Sequence, residues 1–185
     1  MNSWLEGVGC DVLGSDASRT ILRGHDVPVT VTLMCGPSGS GKTTWAADLE
    51  RAGAVRLSFD VELWRRGSRP LTATPELMRQ VDAELRTRLV DLVRAGRDVV
   101  LDLTFATRAM RDEWRSLVLP LGVVPETVHL DVPRDELRRR LTTRTGSGAD
   151  DVVLSPEQIA RHLAEFEPPS ADEGPLRVVR VDPLA

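Results

Sequence analysis

Lysine occurs once in this chain, at position 42, although the sequence carries 24 basic residues and the other 23 are all arginine. Around it stands Gly36-Pro37-Ser38-Gly39-Ser40-Gly41-Lys42-Thr43: a glycine, four residues, then Gly-Lys-Thr. Each position has a physical use. Glycines let the backbone curl so that successive N–H groups converge on phosphate oxygens. The lysine reaches the outer phosphates, and the threonine hydroxyl is a ligand for Mg²⁺. An arginine would be a poor replacement for Lys42, because its planar fork is larger than an ammonium on a flexible stem. The spacing therefore predicts a phosphate-binding loop, with Gly36, Pro37, Ser38, Gly39, Ser40, Gly41, Lys42, Thr43 and Thr44 around the nucleotide.

The flanking elements are those such a loop needs. Val29 to Cys35 is a short apolar, β-branched run that reads as a buried strand, and Thr44 to Glu50 reads as a helix closed by Gly53. The helix N-terminus adds its dipole to the anion site. Further along, Ala54 to Phe59 reads as a strand ending at Asp60, followed by a short helix from Val61 to Arg66 and a loop from Gly67 to Thr74. Pro75 opens a long helix with Leu77, Val81, Leu85, Leu89 and Leu92 on one stripe. Asp98 to Leu103 is an apolar strand, residues 107 to 119 form a helix, and Val123 to Val132 contain a fourth strand. Pro133 starts an arginine-rich helix. Gly146 to Asp151 reads as a segment able to close, Ser155-Pro156-Glu157-Gln158 is a capping box, and Leu176 to Val181 is a last strand. This alternation predicts an α/β, three-layer fold: about five parallel strands with helices on both faces and a small lid at about 140–155.

In such a sheet ligands gather at the C-terminal ends of the strands, and two carboxylates are expected there. Asp60 can accept the proton of an attacking hydroxyl and aim it at a phosphoryl group, or it can simply cap the helix after it. Asp102 follows Val99-Val100-Leu101, where a carboxylate can hold Mg²⁺; the alternative is a strand-end turn residue. A buried, unpaired aspartate would be costly, which favours the ion. On the arginine-rich helix, Arg140 and Arg144 are four apart and share a face beside Leu137 and Leu141, a suitable pair for clamping phosphates. Arg138 and Arg139 read as solvated.

Composition narrows the field further. With 41% hydrophobic residues, a chain of 185 residues can bury an ordinary core. A net charge of −4 disfavours a general nucleic-acid or membrane-surface binder. Cys10 and Cys35 give no disulfide framework, and Cys35 reads as an inert core thiol. The three histidines are scattered and form no zinc pattern. The sequence has no apolar stretch of membrane-spanning length and no signal-peptide pattern, so a cytoplasmic location is the simplest expectation. Residues 1–27 read as an extension that Trp4 and Leu5 would anchor, and residues 28–185 as one domain.

Taken in order, Gly36 to Ala46, Ser58-Phe59-Asp60, Val99 to Phe105, Asp131 to Gly146 and Phe166 to Gly174 resemble the small P-loop kinases grouped with the polynucleotide 5′-kinase domain, zeta-type toxins and chloramphenicol phosphotransferase. The resemblance covers about residues 28 to 182. It implies ATP and Mg²⁺ as cofactors, Lys42 and Thr43 on phosphate and metal, and Asp60 as general base. Asp102 is implied beside the metal or the acceptor, Arg140 and Arg144 as lid arginines, and Pro169, in the loop from Glu167 to Ala171, near the adenine. One departure stands out. Polynucleotide kinases place an arginine three residues after the base to grip a nucleic-acid phosphate, and here that position is Leu63. Arg65 and Arg66 are the nearest candidates for acceptor binding, at the wrong spacing. Without tyrosine and with only three phenylalanines, the chain also offers few platforms for unpaired bases. A small-molecule hydroxyl acceptor is therefore expected ahead of a nucleic-acid end. A nucleotide-binding switch or regulatory ATPase is the alternative of another class.

Overall fold

Val31–Cys35 (β1) is buried at every residue, so both its faces must be covered and its place must be inside the sheet. The computed structural model, which describes residues 28–146, 148–149 and 152–181, puts it there. With Val55–Ser58 (β2), Val99–Asp102 (β3), Glu126–Asp131 (β4) and Leu176–Arg180 (β5), it forms one five-stranded sheet in the order β2-β3-β1-β4-β5. Every pairing is parallel. The expected extension at residues 1–27, with Trp4 and Leu5, lies outside the described residues, as does part of the 146–151 segment.

Parallel strands need crossovers, and helices supply them: Lys42–Arg51 (α1), Phe59–Arg65 (α2), Pro75–Arg94 (α3), Arg108–Val118 (α4), Arg134–Thr142 (α5) and Pro156–Ala164 (α6). The period-two alternation of the strands assigns the faces. Val31, Leu33 and Cys35 point with Leu57, Val99 and Leu101 into a core completed by Leu63 of α2, Val81, Leu85 and Leu89 of α3, and Trp114 and Val118 of α4. Met34, Val100, Val128 and Leu130 form the opposite core under Ala46, Trp45 and Leu49 of α1. A third, smaller cluster joins α5 to α6 through Leu137, Leu141, Ile159 and Leu163.

Caps set two boundaries differently from the sequence expectation. Ser58 Oγ accepts the Val61 N–H at 3.4 Å, so α2 begins at Phe59 and Asp60 lies in its first turn rather than at a strand end. The cap that Asp60 might have supplied is thus Ser58's. Gly41, at φ 101°, turns the loop into α1 two residues ahead of the expected Thr44. The capping box at Ser155 and Gln158 is present, and Pro75 occupies the first turn of α3 as expected.

A buried ionic cluster fixes the loops beyond β3 and α6. Arg111, fully buried, holds Glu173 through two bonds of 2.6 and 2.7 Å and donates to the carbonyls of Phe105 and Glu167 at 3.1 and 2.9 Å. Arg115 adds a bond to Glu173 at 3.1 Å and another to Thr127 Oγ1 at 2.7 Å. Phe105 sits at φ 45°, an uncommon conformation for a bulky side chain, and the Arg111 bond to its carbonyl helps hold it there. Hydrogen bonding from Arg111 keeps the Glu173 carboxyl down at about 2. Because the folded value is depressed, the pair's contribution is complete above the ordinary carboxylate value of 4.5 and is lost as pH falls from there towards 2. Glu173→Gln should lower the unfolding free energy at pH 7 by about 3–5 kcal/mol, the cost of leaving a buried partner charge uncompensated. Urea unfolding at pH 7 and pH 3 should then show a smaller further drop for the variant than for the natural chain. Equal stability of the two proteins at pH 7 would rule out this clamp.

Candidate active site

The loop between β1 and α1 runs across the C-terminal edge of the sheet. A Cβ on Gly36 would stand 2.7 Å from Ser40 Oγ, and its φ of 149° suits glycine alone, so the tight return of the loop depends on that residue. Inside the return, Lys42 Nζ donates to the carbonyls of Gly36 and Pro37 at 2.7 and 3.0 Å. An ammonium has three donors, and among the described residues these two bonds are the ones it makes, so one donor is left for an anion. Burial pulls the Lys42 ammonium down to about 8 from 10.5, opposed by the negative charge of Asp102. An arriving polyanion would favour the charged form.

Asp102 ends β3 next to this loop and is only 7% exposed. Its Oδ2 accepts the Thr43 hydroxyl at 3.2 Å and two N–H groups of Arg56 at 3.0 and 2.5 Å. Arg56 comes from β2, where Leu57 and Ser58 pair with Leu101 and Asp102. The buried carboxylate is therefore satisfied from two sides. A magnesium ion in such a loop takes a hydroxyl, phosphate oxygens and waters rather than a cage of side chains. Thr43 and Asp102 meet that description: a hard hydroxyl backed by a carboxylate, with no described hydrogen bond on Oδ1. No group of three or more His, Cys, Asp or Glu that could cage a metal occurs among the described residues.

One cavity of about 950 Å³ opens over these groups, and Ser38, Gly39, Gly41, Lys42, Thr43 and Thr44 of the β1–α1 loop and the first turn of α1 line one side of it. Asp60, Asp102, Arg140 and Arg144 also line it, so the two expected carboxylates and the two expected lid arginines meet in one space. Arg140 donates to the Gly39 carbonyl at 3.2 Å and to Glu136 at 2.7 Å, which seats α5 on the loop. Arg144 donates to the Val152 carbonyl at 3.3 Å. Other expected residues lie elsewhere. Gly36, Pro37 and Ser40 build the loop without lining the cavity. Arg65 is ion-paired with Glu62 and Arg66 with Glu84, and neither lines it. Pro169 is buried outside it, in a segment tied to the chain after β3 by Glu167 N to Ala106 O and Arg108 N to Glu167 Oε2, both 2.8 Å.

Several contacts here have no counterpart in the sequence reading. His162 of α6 accepts the Ser38 N–H through Nε2 at 3.2 Å. Burial, with Lys42 and Arg144 nearby, pushes its pKa below the ordinary 6.5 and keeps it the neutral acceptor that this bond requires. Arg69, in the loop after α2, donates to the Gly146 carbonyl at 2.9 Å and so joins that loop to the segment that follows α5. Cys35 is buried, donates its Sγ–H to the Phe105 carbonyl at 3.6 Å, and has its thiol pushed up to about 11 by burial, the state of an unreactive core residue.

Residues 31–169 match the model of a family described as an AAA domain. No curated protein matches the sequence at a significant level. Among solved structures, a sugar kinase from Janibacter sp. HTCC2649 aligns with a TM-score of 0.58 at 21% identity, over 83% of this chain and 86% of that one. The Mycobacterium tuberculosis APS kinase CysC, in complex with AMPPNP and APS, aligns with a TM-score of 0.52 at 19% identity, over 84% of this chain and 90% of that one. The Pnkp1/Rnl/Hen1 RNA repair complex contains a chain that aligns with a TM-score of 0.59 at 20% identity, over 77% of this chain and 45% of that one. The family match runs from β1 past α6, well over half of the chain, and together with the parallel five-stranded sheet it leads to one conclusion: this chain belongs to the AAA domain family and has the fold of a P-loop kinase.

Proposed function

We propose that this chain is an ATP- and Mg²⁺-dependent kinase that transfers the γ-phosphoryl group to a hydroxyl of a small molecule. The observation that carries the reading is the meeting of Lys42, Thr43, Asp60, Asp102, Arg140 and Arg144 around one cavity. The phosphate side supplies backbone N–H groups, the Lys42 ammonium and the N-terminus of α1. Thr43 would hold Mg²⁺ with Asp102 behind it, and the ion would neutralise charge on the phosphates. Asp60, in the first turn of α2, takes the proton of the acceptor hydroxyl as its oxygen bonds to the γ-phosphorus and the bond from that phosphorus to the β-γ bridging oxygen breaks, releasing ADP. Arg140 and Arg144 meet the charge that spreads over the transferred group. Little covalent work is asked of the protein; positioning and electrostatics do the rest.

A small acceptor is favoured over a nucleic-acid end by three placements. Leu63, at the position where a polynucleotide kinase carries its phosphate-gripping arginine, is fully buried in the core. Arg65 and Arg66 are engaged by Glu62 and Glu84 outside the cavity. The sugar kinase and the APS kinase, whose names specify small substrates, each share most of their length with this chain.

Asp60→Asn should leave ATP binding intact while phosphoryl transfer falls roughly 10²- to 10⁴-fold, the usual worth of a positioned base. Isothermal titration with ATP and a transfer assay on the same preparation check this, and near-normal turnover would remove Asp60 from the reaction. Arg144→Ala should lower kcat more than it raises the KM for ATP, because a cation aimed at developing charge acts on the transition state. Unchanged kcat would return Arg144 to a purely structural role beside Val152.

A further inference from the structure

The wall of the cavity facing the phosphate loop differs in chemistry from the loop. Phe59 from α2, Met78 from α3, Leu103 beyond β3, and Met110 and Trp114 from α4 line it. Met78 and Met110 are 38% and 39% exposed, and both line the cavity from different helices. Trp114 is held rigidly beneath, edge-on to Phe105 with ring centroids 6.1 Å apart and with Arg86 stacked 4.9 Å from its ring. Of the charged groups on this side, Asp82 takes an Arg86 bond of 2.6 Å, and Arg79 pairs with Glu76 at 2.5 Å on the solvent-exposed face of α3. A site built for a polyol, a sugar or a sugar acid needs several converging donors and acceptors, since a buried hydroxyl without a partner is costly. Thr104 is the uncharged polar side chain that this wall offers beside Asp60.

We infer that the acceptor is an uncharged alcohol carried on an apolar, ring-sized body, which lies against Met78, Met110 and Trp114 and presents its hydroxyl to Asp60. The inference rests on the kinase reading for the fate of that hydroxyl, and on the wall alone for the body that carries it. Two flexible, polarisable methionines over a fixed indole make a surface that adapts to the shape of an apolar group while rejecting charge. Asp60 and Thr104 provide the hydrogen bonds that orient one hydroxyl rather than many. Part of the cavity must be left for the nucleotide's phosphates, so a compact body is expected rather than a long chain.

The test compares benzyl alcohol, 2-phenylethanol and 3-phenylpropanol with glycerol, glucose and gluconate, by calorimetric binding to the full chain and by transfer from γ-labelled ATP. Affinity should rise about fourfold for each methylene added in the aryl series, the worth of one buried CH₂. All three aryl alcohols should bind tighter than the polyols. The double variant Met78→Gln, Met110→Gln changes two surface-exposed side chains and should keep the thermal midpoint of the natural chain. It should weaken aryl alcohol binding at least tenfold and leave ATP binding unchanged. Tighter binding of glucose or gluconate than of any aryl alcohol, or aryl binding indifferent to the two methionines, overturns the inference even if a polyol proves to be phosphorylated. Methionine-dependent aryl binding without transfer from ATP would instead uphold the apolar acceptor site and overturn the kinase reading.

Discussion

Everything at this site hangs on a carboxylate that cannot be left alone. Asp102 lies at the end of a strand buried on both faces, where an isolated charge would cost several kcal/mol. It is held by Arg56 from the neighbouring strand and by the Thr43 hydroxyl from the helix that follows the phosphate loop. Those bonds tie β2, β3 and α1 together at the sheet edge where the loop opens. They also orient Thr43, so the residue expected to meet a metal is fixed in place before any nucleotide arrives. Preorganisation of this kind is what phosphoryl transfer demands, because the protein's contribution is to hold charges where they will be needed.

A second ionic cluster does the same for the far end of the cavity. Arg111, Arg115 and Glu173 sit under the turn that carries Leu103, Thr104 and Phe105 away from β3. By clamping that turn, they determine where the apolar wall begins. Between the two clusters stand elements with fewer anchors. The segment expected to act as a lid meets the rest of the molecule through Arg69 to Gly146 and Arg140 to Gly39, and Arg144 to Val152 ties it to itself. Two of these three bonds originate from the arginines expected to meet phosphate, so a bound nucleotide would compete with the Gly39 and Val152 carbonyls for the same guanidinium groups.

The sequence carried much of this because its strongest signals are local. The phosphate loop needs eight consecutive residues, the strands are short apolar runs, and the caps lie within three residues of the helices they start. The parallel sheet follows from the alternation of elements. Arg140 and Arg144 were legible as a pair from their spacing, but the helix expected to carry both ends at Thr142, so Arg144 reaches the cavity from the chain beyond α5 rather than from a shared helical face. What escaped depends on distance along the chain: Arg56 and Asp102 are 46 residues apart, Arg111 and Glu173 are 62, and Ser38 and His162 are 124. No periodicity links such positions. Arg111 was the hardest to find, since an arginine on a helix reads as solvated until the fold supplies a buried partner. Asp60 was misplaced by a subtler competition: Ser58 outbid it for the cap, which drew the start of α2 two residues earlier. Arg65 and Arg66 were candidates through proximity in sequence, but helical geometry turns them to Glu62 and Glu84.

Lys42 is the ammonium that would meet a nucleotide's outer phosphates in the proposed reaction. As the sole lysine, and with its pKa drawn down to about 8, it is the one side-chain amine an amine-directed acyl-phosphate derivative of ATP can acylate. Peptide mass spectrometry should find the label on Lys42, apart from any on the N-terminal amine, and saturating ATP with Mg²⁺ should suppress it. An unlabelled Lys42, or equal labelling with and without ATP, would contradict the claim that this loop is a working nucleotide site.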